Sequence, residues 1–155
     1  MRTFHRPSSR GYTLIEIVVV LTIVGVLWAI AAPRYGNSLC RYRAEQAARR
    51  IAADLLLARS QAKMTSKSRI ITFNTTTNTY GMDVQGLTAS STQYNVNIAG
   101  DPYYASFVSV SFNGTSGVTF DAYGSADNSG TIVVQCGGVQ YTITLESTAG
   151  KVTVQ

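Results

Sequence analysis

Few residues in this chain are equipped for chemistry, and their spacing suits joining surfaces better than turning over a substrate. Thr13 and Glu16 stand three apart at the head of an apolar run, the spacing at which a hydroxyl and a carboxylate satisfy each other's backbone N–H groups as a capping box. Glu16 is also the single charge between Tyr12 and Ala32. A helix of that length, rising ~1.5 Å per residue, covers the ~30 Å hydrocarbon layer of a bilayer. A carboxylate inside such a span costs about 2–4 kcal/mol and persists where something pairs with it. Glu16 is therefore a candidate functional residue. The only histidine, His5, precedes the run, the acids are scattered, and two separate cysteines, Cys40 and Cys136, do not make a metal site. No catalytic set, metal or cofactor is expected, and the chain does not read as an enzyme.

Three readings of the N-terminal stretch follow from the residues alone. Thr13 and Glu16 can act only as a local helix cap. Arg2, Arg6 and Arg10 can form the charged region of a cleavable secretory signal, with Ala29-Ile30-Ala31 as a small-residue cleavage site. The run can also be a plain membrane anchor, which leaves Glu16 without a partner. These stay open on composition and spacing.

A basic leader ending in Gly11, then Tyr12-Thr13-Leu14-Ile15-Glu16 and a long apolar helix, resembles the prepilin signature of type IV pilins and type II secretion pseudopilins. That resemblance implies cleavage between Gly11 and Tyr12 by a prepilin peptidase that also N-methylates the new terminus at Tyr12. It implies that Glu16, fifth in the mature chain, serves assembly. Tyr12 stands where the family usually has phenylalanine and keeps the aromatic ring. A carboxylate at this depth can pair with the freed N-terminal amine of its own chain or of a neighbour, which favours the ionised form and offsets desolvation. The resemblance also implies a single-pass inner-membrane protein with its head in the periplasm, later packed among other pilins or pseudopilins in a filament. Charge alone does not fix the orientation, because Arg34, Arg41 and Arg43 follow the span as Arg2, Arg6 and Arg10 precede it.

In chain order, the expected parts are a leader at residues 1–11, a transmembrane helix at 12–33, its extramembrane continuation at 34–67 and a β-rich head at 68–155. Pro33 removes a hydrogen bond and crowds the carbonyl of Ala29, so a kink is expected there. Beyond it Cys40, Ala44, Ala47, Ala48, Ile51, Leu55, Ala58 and Ala62 recur at spacings of three and four, which predicts one packed helical face over residues 38–63. After Ser68 the pattern changes to short alternating runs, predicting strands at 69–74, 79–84, 93–98, 106–112, 117–120, 131–136, 139–145 and 151–154. Gly137-Gly138 is the best hairpin turn. Ile132, Val134 and Cys136 share one strand face, as do Val139, Tyr141, Ile143 and Leu145, and such a face needs the alanine-rich helix as its cover. Cys40 on that helix and Cys136 on that strand can therefore meet as a disulfide or be buried separately. The fold class is α+β and pilin-like, a long kinked N-terminal helix packed on a small antiparallel head.

The mature chain keeps ten basic and eight acidic side chains, but residues 34–69 carry a net +7 and residues 70–155 a net −4. A basic stem of this kind can bind phosphates or simply face solvent, lipid headgroups or acidic neighbours. Val118-Thr119-Phe120-Asp121, Gly124, Thr131-Ile132-Val133-Val134 and Gly150-Lys151-Val152 resemble the C-terminal pattern of the GspH/FimT branch of minor pseudopilins. Members of that branch that act in DNA uptake carry Gly-Arg-x-Arg there; this chain has Gly150-Lys151-Val152-Thr153, with one basic residue of the pair missing. Lys151, Arg49 and Arg50 are thus candidate DNA contacts within a reading that favours a pseudopilin of type II secretion, with a minor type IV pilin as the alternative. Residues 86–104 match no pattern.

Overall fold

The computed structural model describes residues 11–83, 94–147 and 150–155, without the side chains of residues 32–34. The chain divides into two compact units, Met1–Gly36 and Asn37–Gln155. One helix, α1 (Leu14–Thr65), contributes to both and continues past Pro33 and Gly36. The proline therefore does not end the helix; its side chain lies outside the described residues, and the bend expected there stays an expectation.

In the first unit α1 starts at Leu14, one residue after its capping Thr13. Its large apolar side chains, from Leu14 through Trp28 to Ile30, are all exposed. This stretch is long and apolar enough to cross a membrane, with a mean hydropathy of 2.7 in its best window.

The second unit is α+β. Its strands are β1 (Arg69–Asn74), β2 (Thr79–Met82), β3 (Tyr94–Asn97), β4 (Ser106–Ser111), β5 (Gly117–Phe120), β6 (Gly130–Cys136), β7 (Val139–Glu146) and β8 (Lys151–Val154). Each of the eight expected strands is present, within two residues of its expected ends; Val84 and Gln93, at the margins of the second and third, lie outside the described residues. The strands form two four-stranded antiparallel sheets, ordered β3-β2-β1-β5 and β4-β6-β7-β8. Alternation explains the inward faces: Ile71 and Phe73 of β1 are buried while Ile70, Thr72 and Asn74 are exposed. Gly137 and Gly138 both take positive φ, 54° and 85°, and close the β6–β7 hairpin with Cys136 opposite Val139, the backbone of the two-residue turn that glycine makes accessible.

Ala44, Ala47, Ala48, Ile51, Leu55, Ala58 and Ala62 are fully buried. The face read from periodicity is the face that packs. Five of these helix residues share one apolar cluster with Ile71, Tyr80 and Val118 from the first sheet and Ile132, Val134 and Ile143 from the second. The sheets meet through aromatic rings: Phe73 of β1 lies 5.8 Å, edge-on, from Phe107 of β4, 5.8 Å from Phe112 and 5.5 Å from Tyr80. Such tilted and edge-to-face pairs add to the burial of the rings themselves.

Candidate assembly site

The residues of the expected cleavage signal overlap the capping box. Gly11, Tyr12 and Thr13 precede the helix and are exposed, so the peptide bond between Gly11 and Tyr12 is not tied into helical hydrogen bonding. The Glu16 N–H donates to Thr13 Oγ1 at 3.3 Å, and the Thr13 N–H reaches Glu16 Oε2 at 3.5 Å. Thr13 O accepts the first helical bond, from Ile17 N–H. Both halves of the capping box are present, satisfying donors that a helix start leaves open. The same geometry turns the Glu16 carboxylate back toward the end of the chain where cleavage would expose an amine.

The head is fastened to α1 by polar contacts as well as alanines. Asp54 is buried on the helix face, in phase with Ile51 and Ala58. Its Oδ2 accepts the Tyr80 hydroxyl of β2 at 2.5 Å, a longer bond from the Tyr94 hydroxyl of β3 at 3.4 Å, and the Arg50 Nε–H at 3.2 Å. Arg50 also donates to the Tyr94 hydroxyl. A buried carboxylate with this many donors is compensated for its lost hydration. Burial, then the bond to Asp54, pushes the Tyr80 phenol far above its ordinary value of 10. One turn on, Arg59 donates to the carbonyls of Gly124 and Gly150, at 3.0 and 3.1 Å, stitching the helix to the loops before β6 and β8. Arg43 lies over the Tyr104 ring, 4.5 Å from its centre.

The structure brings Cys40 and Cys136 together: the two Sγ atoms are 2.8 Å apart as free thiols. Burial is the main cause that pushes the Cys136 thiol up to about 11, followed by its bond to Cys40.

The candidate DNA contacts are all exposed and differ in their partners. Arg49 is exposed and paired with Glu45 at 2.7 Å, and Arg50 is committed to Asp54 and Tyr94. Lys151 is exposed on the edge strand β8, opposite Glu146 in the ladder. Arg69, which the sequence placed in the basic stem, is buried at the start of β1, donating to the Asp83 carbonyl and to Thr65 Oγ1. It belongs to the interior rather than to a phosphate-binding face. The Asp54 cluster was missed in the sequence, although Asp54 lies in phase with the alanine face and a carboxylate there demands donors. Among the described residues no group of three or more histidine, cysteine and acidic residues could hold a metal ion.

Two family descriptions match this chain: "Type II transport protein GspH" over residues 47–149 and "Prokaryotic N-terminal methylation motif" over residues 6–32. Fimbrial protein Q of Moraxella bovis is 31% identical over 102 residues, which are 62% of this chain and 62% of that protein; the chain thus spans less than two thirds of that relative. Among solved structures, the minor pseudopilin EpsH from the type II secretion system of Vibrio cholerae superposes with a TM-score of 0.57 at 9% identity, covering 74% of this chain and 97% of that one. The type IV minor pilin FimU of Pseudomonas aeruginosa gives 0.53 at 16% identity, covering 74% and 90%. At such identities these two structures speak to the fold, which is that of the pilins.

Proposed function

This chain belongs to the type II transport protein GspH family, and we propose that it works as a minor pseudopilin, a structural subunit of the short filament that drives type II secretion. The observation that carries this reading is the GspH match over residues 47–149, which takes in most of the head and the helix face beneath it. The N-terminal methylation motif supports processing by a prepilin peptidase: cleavage after Gly11, then N-methylation of Tyr12. The apolar part of α1 holds the subunit in the inner membrane with its head in the periplasm, and the same surface then packs among neighbouring helices as the filament grows. In that setting Glu16 pairs with an N-terminal amine of its own chain or of a neighbour, and an ion pair fixes axial register where apolar packing alone allows sliding.

Fimbrial relatives and the FimU fold favour a second reading, a minor subunit of a type IV pilus. A role in DNA uptake would rest on Lys151 and the exposed basic residues of α1, among which Arg49 pairs with Glu45 and Arg50 with Asp54 and Tyr94. The deciding experiment is an in-frame deletion scored side by side for exoprotein release, twitching and DNA uptake. Lost release with normal motility and uptake is the expected result. Lost motility or uptake with intact release would replace the secretion reading by the pilus one, and salt-dependent duplex binding by the detergent-purified chain would then assign the DNA role.

A further inference from the structure

We propose that Cys40 and Cys136 form a disulfide that clamps the first turn of the helix's packed face to the end of β6. The two sulfurs meet across 96 residues of sequence, and each sits on a regular element rather than on a loop. Cys40 is half-buried one turn before Ala44, the first fully buried residue of α1, and everything from Tyr35 to Ser38 before it is exposed. Cys136 is the last residue of β6 and is held by seven ladder pairs with β7 and the two-glycine turn that follows. The turn itself is shaped around the sulfur: a Cβ on Gly137 would stand 2.7 Å from Cys40 Sγ. Glycine at 137 thus serves both the positive φ and the approach of the two sulfurs.

The reaction needs an oxidant of the disulfide class, for which oxidised glutathione serves as probe. Cys40, the more exposed thiol, attacks as thiolate and releases one glutathione thiolate, leaving a mixed disulfide on Cys40. Cys136 then loses its proton and attacks Cys40 Sγ, expelling the second glutathione. Two protein thiols become one disulfide, and one glutathione disulfide becomes two thiols. The place of the bond gives it a mechanical use, and this use rests on the reading as a membrane-anchored filament subunit. A pull transmitted along α1 meets Cys40 before the fully buried alanines, and a covalent link there stops the packed face from peeling away turn by turn.

The test uses the full chain in detergent, incubated with oxidised glutathione, quenched with acid and treated with a maleimide before and after reduction. The expected result is no maleimide before reduction, two after it, and a tryptic species joining residues 35–41 to residues 70–151. Two free thiols, or glutathione retained on either cysteine after long incubation, overturns the pairing. Reduction should also lower the unfolding midpoint of the head by about 10 °C; an unchanged midpoint overturns the clamp. Because this assay needs no filament, a bonded chain from a strain whose deletion leaves secretion intact would sink the secretion reading while the disulfide stands.

Discussion

One helix carries two surfaces of opposite kind. From Leu14 to Ile30 it exposes leucine, isoleucine, valine and tryptophan on every side, while from Ala44 to Ala62 its inward face is mostly alanine and fully buried. The first is bulky, apolar and exposed among the described residues; the second is small and packed against the sheets. A helix that is apolar all round is characteristic of a buried or membrane-crossing segment, and this stretch is long and apolar enough to cross a membrane. The second needs only its own sheets. Under the proposed function, association with other subunits and folding of the head fall to successive lengths of one element, so each should be breakable without the other.

The largest separation should come from Glu16→Ala. We expect incorporation into filaments to fall about tenfold or more, since a lost pairing of about 1.4 kcal/mol already gives that factor, with head unfolding unchanged. Normal incorporation in sheared filament fractions would remove Glu16 from assembly. Next, Leu55→Ala should cost the head about 2–5 kcal/mol by emptying a fully buried site, whereas Leu21→Ala, at an exposed site, should leave head unfolding within about 0.5 kcal/mol. Equal effects in denaturant titrations would erase the contrast. Asp54→Ala should cost about 2–3 kcal/mol, because it strips the Tyr80 hydroxyl of a charged acceptor; a neutral result would make that cluster an ornament of the packing. The smallest effect is a pH slope. Tyr80 is raised above its ordinary value of 10, so the folded head keeps a proton that the unfolded chain loses. Its contribution is fully present below that value and is lost as pH rises above it, at up to about 1.4 kcal/mol per unit. Tyr80→Phe should flatten that part of the stability–pH curve.

Much of the head was legible because its signals are local. The alternation around Ile71 and Phe73, the glycine pair after Cys136 and the three-and-four spacing of the alanines each depend on a few neighbouring residues. The division of eight strands into two sheets was not, since it depends on which strand meets which across long separations; β1 pairs with β5 as well as with β2. Arg69 was misread for a similar reason: its charge suggested solvent, and only the fold shows that Thr65 and the Asp83 carbonyl come to meet it. Asp54 gives no local signal of its partners, because the Tyr80 and Tyr94 hydroxyls come from strands far along the chain. At the other end, the Thr13–Glu16 spacing was legible as a cap and is one, which leaves the assembly role of the same carboxylate to experiment.

The alanines of the packed face carry one further consequence, in entropy and tolerance. An alanine has no rotamers to freeze, so docking this face orders the backbone of α1 without the side-chain cost that leucines or methionines would add. Its tolerance to change is correspondingly one-sided. A larger residue must push the sheets away, at about 1–3 kcal/mol, and glycine weakens the helix by about 1 kcal/mol. A variant library at Ala44, Ala47, Ala48, Ala58 and Ala62 should therefore return mainly alanine and serine, while the exposed apolar length should accept almost any exchange among leucine, isoleucine and valine.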